Sequence, residues 1–188
     1  HGWIYQYGAD KIRGFKQTHQ PSPWMNDYGQ FSIMPVTGGI KFTQNDRASW
    51  FSHKSEISTP YYYSVYLADA DVTTELTTTE RAASFQFTFP KSDSAFIVVD
   101  AFDKGSYIKI IPAERKIIGY STKYARGKLT NFKNYFVLYF DKDFSTANTW
   151  HEKSLAKDTL ELSHNNAGAI VGFLTQQGEQ VHVKVASS

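Results

Sequence analysis

The chain has 188 residues, of which 41% are hydrophobic and 16% aromatic, and its formal net charge is only +2. With Lys and Arg scattered along the sequence, this balance argues against a nucleic-acid or anionic-membrane partner. No apolar run reaches the roughly 18 residues that a membrane-spanning helix needs. Cysteine is absent, which excludes disulfides, cysteine-ligated zinc and a thiol nucleophile.

Alternation of apolar and polar residues runs through most of the chain. Side chains two apart on a strand share a face, so this alternation predicts half-buried strands. Three phenylalanines alternate with polar residues in 85–89, and three valines do so in 180–185. The strand candidates, in chain order, are 31–36, 40–43, 61–67, 72–78, 85–89, 95–101, 107–111, 116–120, 135–140, 160–162, 169–174 and 180–185.

Turn signals separate these segments at the spacing expected of a sandwich or barrel. Gly38-Gly39, Asn165-Asn166 and Gln177-Gly178 are examples. Helical periodicity is thin, although residues 150–157 could form one or two helical turns. We therefore expect an all-β fold: an antiparallel β-sandwich of about a dozen strands with little helix, in which residues 1–188 form a single domain.

Residues 14–29, with the sequence GFKQTHQPSPWMNDYG, interrupt the alternation. Pro21 and Pro23 fix the backbone φ angle and remove amide donors. The residues before them are pushed toward extended geometry. The sequence therefore predicts a stiff loop, and rigid loops on a β scaffold are where binding groups concentrate.

Four side chains of this loop suit a sugar ligand: His19, Trp24, Asn26 and Asp27. Trp24 could stack on a pyranose face. Asn26 and Asp27 could hydrogen-bond neighbouring hydroxyls, and His19 could donate or accept according to its tautomer. In the alternative interpretation, Trp24 plugs the sandwich edge while Asn26 and Asp27 cap a turn. The residues alone leave both interpretations open.

Other ionisable pairs give weaker signals. His53 and Glu56 have a spacing seen in metal and acid–base pairs, but a structural ion pair or hydrogen bond is the simpler interpretation. Glu75 and Glu80 lie on or near a strand, with Arg81 as an expected partner for one of them, and nothing fixes the separation that acid–base catalysis would need. We predict no catalytic residue and no metal ligand in this chain.

A series of ordered motifs resembles the N-terminal domain of family 92 glycoside hydrolases. The motifs are IRGFKQTH (12–19), NDYGQFSIMP (26–35), FSHKSE (51–56), PYYYSVYL (60–67), TELTTTERAASFQFTFP (74–90), IIGY (117–120) and YFVLYF (135–140). A single motif would be weak, but the order and approximate spacing match as well. The resemblance covers nearly the whole chain.

This resemblance implies an exo-acting, inverting α-mannosidase that needs calcium. Such an enzyme joins an N-terminal β-sandwich of the supersandwich type to a C-terminal (α/α)6 barrel. Inversion pairs a carboxylic acid with a carboxylate that activates water, and the resemblance implies that these groups and the calcium ligands belong to the barrel. The barrel is missing here, so we expect this chain to be a piece of a longer enzyme, inactive and without a cofactor by itself. The sandwich would contribute the loop 14–29 to the mannose pocket.

Three roles stay open at this point. As an ancillary domain, the chain would pack on its own catalytic domain and expose an apolar docking patch in its absence. As a stand-alone carbohydrate-binding, lectin-like module, it would bind mannose-containing glycans without the barrel. As a purely structural sandwich that only braces a neighbour, it would change in stability but not in turnover when Trp24→Ala is made in the parent protein. We favour a bacterial protein that is secreted or on the cell surface over a cytoplasmic one.

Overall fold

The computed structural model describes residues 7–16, 31–122 and 131–188. These residues form seventeen strands and two 3-10 helices, His53–Ser55 and Pro112–Glu114, and no α-helix. The strands are β1 (Lys11–Ile12), β2 (Phe15–Lys16), β3 (Ser32–Thr37), β4 (Ser49–Trp50), β5 (Ile57–Thr59), β6 (Tyr62–Leu67), β7 (Val72–Thr78), β8 (Ala82–Phe89), β9 (Ser92–Asp100), β10 (Ser106–Ile111), β11 (Lys116–Ser121), β12 (Asn134–Phe140), β13 (Thr146–His151), β14 (Ser154–Ala156), β15 (Glu161–His164), β16 (Ala167–Thr175) and β17 (Glu179–Ser187).

Two large sheets dominate the described part of the chain. The nine-stranded sheet has the order β15-β10-β11-β12-β17-β8-β7-β6-β5, and the six-stranded sheet has the order β14-β13-β16-β9-β3-β2. Strands β1 and β4 form a separate two-stranded sheet. Every pairing among the described strands is antiparallel. The predicted all-β antiparallel sandwich is confirmed.

The main core lies between the two sheets. The alternating phenylalanines of β8 and valines of β17 all point inward and are buried. Phe140 from the nine-stranded sheet contacts Phe144 and Phe173, with ring centroids 5.0 and 6.1 Å away, and so joins the two sheets at one end. Each fully buried ring of this kind contributes about 1.5–3 kcal/mol to folding.

A second apolar layer covers the outer face of the six-stranded sheet. Trp150 on β13 is buried on this face, and Phe42 stacks on its ring with centroids 5.2 Å apart. Met34, Val98 and Ile170 from the adjoining strands are buried there too. Because both faces are covered, β3, β9 and β16 are nearly continuous apolar runs rather than alternating ones.

Two local sequence predictions are wrong. Residues 40–43 form no strand, because Phe42 turns onto Trp150 and its carbonyl accepts a hydrogen bond from Arg47. Residues 150–157 form no helix, because β13 and β14 pair there as a hairpin, with Trp150 opposite Leu155. In addition, Tyr61, the first residue of the predicted strand 61–67, lies in the turn before β6.

Candidate functional site

The four residues that the sequence singles out for sugar binding, His19, Trp24, Asn26 and Asp27, lie outside the described residues. The structure describes the two ends of their loop. Phe15 and Lys16 form β2, which pairs with Ile33 and Ser32 of β3. The loop 14–29 therefore begins on an edge strand and returns beside it.

Gly14 marks the point where the chain enters β2. Its φ angle is +153°, and a Cβ atom built there would lie 3.0 Å from the Ser32 side-chain oxygen. That approach is tighter than nine in ten real Cβ contacts. Glycine at this position therefore permits the close contact between β2 and β3.

A buried ion pair fixes the surroundings of both loop ends. The Arg47 guanidinium lies 2.8 Å from the Asp100 carboxylate, and the two side chains are 1% and 3% exposed. Arg47 also donates to the carbonyls of Arg13 and Phe42, each at 2.8 Å, and to the Ser32 hydroxyl at 3.3 Å. One side chain thus joins the segment before the loop, the strand after it and the segment that covers Trp150. The sequence analysis missed this pair, because residues 47 and 100 are far apart in the chain and neither lies in a recognisable motif.

A cavity of about 410 Å³ lies beside the loop ends. Its walls are mainly apolar and include side chains from both sheets. The polar lining residues are Lys16, Thr78, Thr79, Glu80 and Arg81, and the others are Ile12, Gly14, Phe15, Phe31, Ile33, Tyr63, Leu76, Ala82, Ala83, Phe85 and Val185. Cavities of this size and composition are typical of ligand or side-chain binding.

A hydrogen-bonded chain reaches one wall of this cavity. His53 Nδ1 lies 2.6 Å from the Glu56 carboxylate, whose other oxygen accepts from the Tyr63 hydroxyl at 2.6 Å. His53 Nε2 lies 2.7 Å from the Tyr7 carbonyl, so both ring nitrogens face acceptors. The hydrogen bond to Glu56, and next the one to Tyr7, raise the pKa of His53 above its ordinary value of 6.5. The expected hydrogen bond between His53 and Glu56 is present.

The two glutamates near β7 do not form a catalytic pair. Glu75 accepts from the Tyr62 hydroxyl and from the Gln86 amide, each at 2.6 Å, on the outer face of the nine-stranded sheet. Glu80 instead lines the cavity. Within the described part of the chain, Arg81 forms no ion pair with either glutamate, so that expected pairing is wrong.

In the described ranges, no group of three or more His, Asp or Glu side chains is placed to hold a metal ion. The same ranges contain no helix long and apolar enough to span a bilayer. What the described residues do offer is an apolar cavity with a polar rim, next to the residues on each side of the loop 14–29.

Comparison with known proteins identifies the fold family. The family model described as the glycosyl hydrolase family 92 N-terminal domain matches residues 1–188. The chain belongs to this family. The predicted resemblance to family 92 is confirmed over the whole chain. No curated protein matches the sequence.

Solved structures of family GH92 proteins agree with this assignment. The inverting mannosidase BT2199 from Bacteroides thetaiotaomicron VPI-5482 is 39% identical, with a TM-score of 0.91 over 100% of this chain and 25% of that protein. The α-mannosidase BT3965 from Bacteroides thetaiotaomicron is 29% identical, with a TM-score of 0.82 over 98% of this chain and 27% of that protein. BT3965 has also been solved in complex with mannoimidazole. The chain thus spans about a quarter of the length of the mannosidases it matches.

Proposed function

We propose that this chain is the non-catalytic N-terminal domain of an exo-acting α-mannosidase that hydrolyses α-mannosides. It packs against its own catalytic domain and contributes the loop 14–29 to the mannose pocket. The observation that carries this proposal is the 39% identity, over the whole chain, to one quarter of an inverting GH92 mannosidase. The remaining three quarters of such a protein leave ample length for a separate catalytic domain.

The anchoring of the loop supports its role in the pocket. Arg47 holds the backbone at Arg13 and the side chain of Ser32, one on each side of the loop. A loop whose ends are fixed in this way can hold Trp24 against a sugar ring, with Asn26 and Asp27 bonded to its hydroxyls, at small entropic cost. His19 would bond a further hydroxyl.

An exposed apolar patch supports packing against a partner domain. Four apolar side chains are exposed: Tyr7, Trp50, Ile57 and Tyr61. We refer to these four residues as the docking patch. Ile57 lies on edge strand β5 and Tyr61 in the turn after it, Trp50 lies on β4, and Tyr7 stacks on His53 of the 3-10 helix between β4 and β5. Exposed apolar residues on and near a sheet edge are typical of an interaction surface.

The chemistry of the whole enzyme is divided between the two domains in this proposal. The acid that protonates the leaving oxygen, the carboxylate that activates water, and the ligands of a calcium ion that would bind sugar hydroxyls belong to the catalytic domain. The residues of this chain bind and orient the terminal mannose and exclude water from one side of the pocket.

A titration of the isolated chain with mannose tests this division of labour against the lectin-like alternative. The indole N–H signals of the four Trp residues report binding in an NMR experiment. We expect no saturable shift, because the pocket is complete only when the catalytic domain closes it, and we expect no hydrolysis of an α-mannoside by the chain alone. If one indole N–H signal shifts and saturates with added mannose, and this response is absent in Trp24→Ala, the result would instead support a self-sufficient binding module.

A further inference from the structure

Four tyrosines on β10, β11 and β12 lie on the outer face of the nine-stranded sheet, on the side away from the cavity. Tyr107, Tyr120 and Tyr135 are direct cross-strand neighbours on β10, β11 and β12. Tyr139 lies four residues further along β12 on the same face. The inward-facing neighbours Phe136, Leu138 and Phe140 are buried, whereas Tyr135 and Tyr139 are 51% and 49% exposed.

The rings of this row brace one another. Tyr107 and Tyr120 stack with centroids 5.3 Å apart, and Tyr135 meets Tyr120 edge-on at 5.6 Å. The Lys133 ammonium lies 4.2 Å from the Tyr120 ring centroid, which adds a cation–π contact. Tyr135 and Tyr139 are therefore the most exposed members of the row, on a rigid base, and the Lys116 ammonium lies 5.7 Å from the Tyr139 ring centroid.

The charges around these rings are unbalanced. Lys109 pairs with Glu161, and Lys116 with Glu114. Burial, and next the hydrogen bond to Glu161, raise the pKa of Tyr107 to about 12, so its phenol stays protonated and donates to that carboxylate. Both neighbouring glutamates are thus already occupied.

Two ammonium groups remain without a carboxylate. Among the described residues, Lys133 and Lys184 have no anionic partner. Lys184 is directly opposite Tyr139 across β12 and β17. The two exposed rings therefore lie beside positive charge that nothing in the described chain neutralises.

This composition fits a carbohydrate better than a protein partner. The cores of protein interfaces are depleted in Lys, whereas four lysines surround these rings. Tyrosine faces suit the C–H surface of a sugar ring, and phenol and ammonium groups donate hydrogen bonds to its oxygens. Uncompensated ammonium groups add a preference for negative charge.

We propose that the tyrosine–lysine face, defined as Tyr107, Tyr120, Tyr135, Tyr139, Lys133 and Lys184, binds an oligosaccharide that carries anionic groups. Tyr135 and Tyr139 are four residues apart on one strand, which corresponds to about 13 Å. A ligand that covers both rings is therefore a chain of several sugars. Its phosphate or carboxylate groups pair with Lys133 and Lys184. This face lies on the opposite side of the sheet from the cavity beside the loop ends, so it would hold a polymeric glycan at a distance from that cavity.

Affinity electrophoresis of the 188-residue chain tests the proposal with three polymers. They are a phosphorylated α-mannan, the same mannan after phosphate removal, and polygalacturonate. We expect retardation by both anionic polymers and about tenfold weaker binding by the neutral mannan. The choice of mannan as a test polymer rests on the proposed function, whereas the choice of polygalacturonate does not. Binding to polygalacturonate alone would therefore uphold this face and count against mannose as its sugar.

Variants locate the binding on the sheet. The double variant Tyr135→Ala/Tyr139→Ala should bind the anionic polymers about tenfold more weakly. Lys184→Gln should make the binding of these polymers less dependent on salt concentration. Tyr135→Phe/Tyr139→Phe keeps the rings and controls for folding. Lys153 is an exposed lysine on the β13–β14 turn, and Lys153→Gln controls for the loss of one charge.

The proposal is overturned if neither anionic polymer retards the chain, if the neutral mannan binds equally well, or if the double alanine variant binds like the wild type. A lower melting temperature of the full-length enzyme in that variant, without any polymer binding, would show a domain interface instead.

Discussion

At the scale of single residues, Arg47–Asp100 is the ion pair of the described chain in which both side chains are almost fully buried, and the Arg47 guanidinium joins several parts of the fold. This guanidinium serves four acceptors from four parts of the fold. Removing one member of a buried pair leaves the other charged and without a partner, which costs more than the pair itself contributes.

Replacing Arg47 tests this role. We expect Arg47→Met to lower the free energy of unfolding by about 3–5 kcal/mol, because it leaves the buried Asp100 carboxylate without its cationic partner and removes the side-chain donor to the Arg13 and Phe42 carbonyls. Arg115→Met removes an exposed pair with Asp143 and should cost less than about 1 kcal/mol. Urea unfolding monitored by tryptophan fluorescence measures both. Equal, small effects would contradict the structural role, and Arg47→Met/Asp100→Leu should recover part of the loss.

His53 gives the fold a pH-dependent component. Its pKa is raised in the folded chain by Glu56 and by the Tyr7 carbonyl. The stabilisation is therefore complete below its ordinary pKa of 6.5 and is lost as the pH rises through the folded-state pKa.

We expect the stability difference between wild type and His53→Gln to shrink across the range from about pH 5.5 to pH 8.5. Chemical denaturation at a series of pH values gives that difference, and the NMR titration of the His53 ring gives the folded pKa directly. A difference that grows with pH, or a midpoint below 6.5, would refute the assigned hydrogen bonds.

At the scale of elements, the strands with alternating apolar residues could be predicted from the sequence, whereas the second apolar layer on the outer face of the six-stranded sheet could not. Phe85–Phe89 and the valines of β17 alternate because one face of their sheet meets the core. Residues 40–43 have a similar apolar content, but they serve to cover Trp150 and so form no strand. A local pattern reports that a side chain is buried, and it does not report which neighbour buries it. For the same reason, the partners of Glu75 and the cavity beside β2 could not be read from the sequence.

Packing of Trp150 depends on the absence of a side chain at the opposite position on β16. A Cβ atom at Gly168 would lie 2.2 Å from the Trp150 ring. We therefore expect Gly168→Ala to destabilise the chain by about 1–3 kcal/mol through overpacking. Gly8→Ala is the matched control, since nothing lies within 4 Å of a Cβ there. Denaturant midpoints compare the two, and indistinguishable midpoints would mean that Trp150 does not pack as described.

At the scale of the whole molecule, the docking patch distinguishes a domain from a free-standing module. Ile57 is exposed on edge strand β5, so Ile57→Lys should change the stability of the isolated chain by less than about 0.5 kcal/mol. In the full-length enzyme the same change would bury an unpaired charge at the domain interface and lower the melting temperature. Leu174 is an exposed residue on the six-stranded sheet, so Leu174→Lys should lower neither the stability of the isolated chain nor the melting temperature of the full-length enzyme. An equal melting temperature for both full-length variants would place the interface elsewhere.

The family could be predicted from the ordered motifs, and the fold from the alternation of apolar and polar residues, because both signals are local features of the sequence. The proposed contribution of the loop 14–29 to catalysis would depend on contacts with a second domain, which no property of this chain alone determines. That contribution is the central claim of the proposed function.

The most direct measurement is the kcat/KM of the full-length enzyme on an α-mannoside for Trp24→Ala, together with its melting temperature. Leu174→Ala serves as the exposed apolar control. We predict that Trp24→Ala lowers kcat/KM by about tenfold to hundredfold, with an unchanged melting temperature, while Leu174→Ala changes neither. An unchanged kcat/KM, or a loss that follows a lower melting temperature, would contradict the claim and leave the sandwich with a structural role.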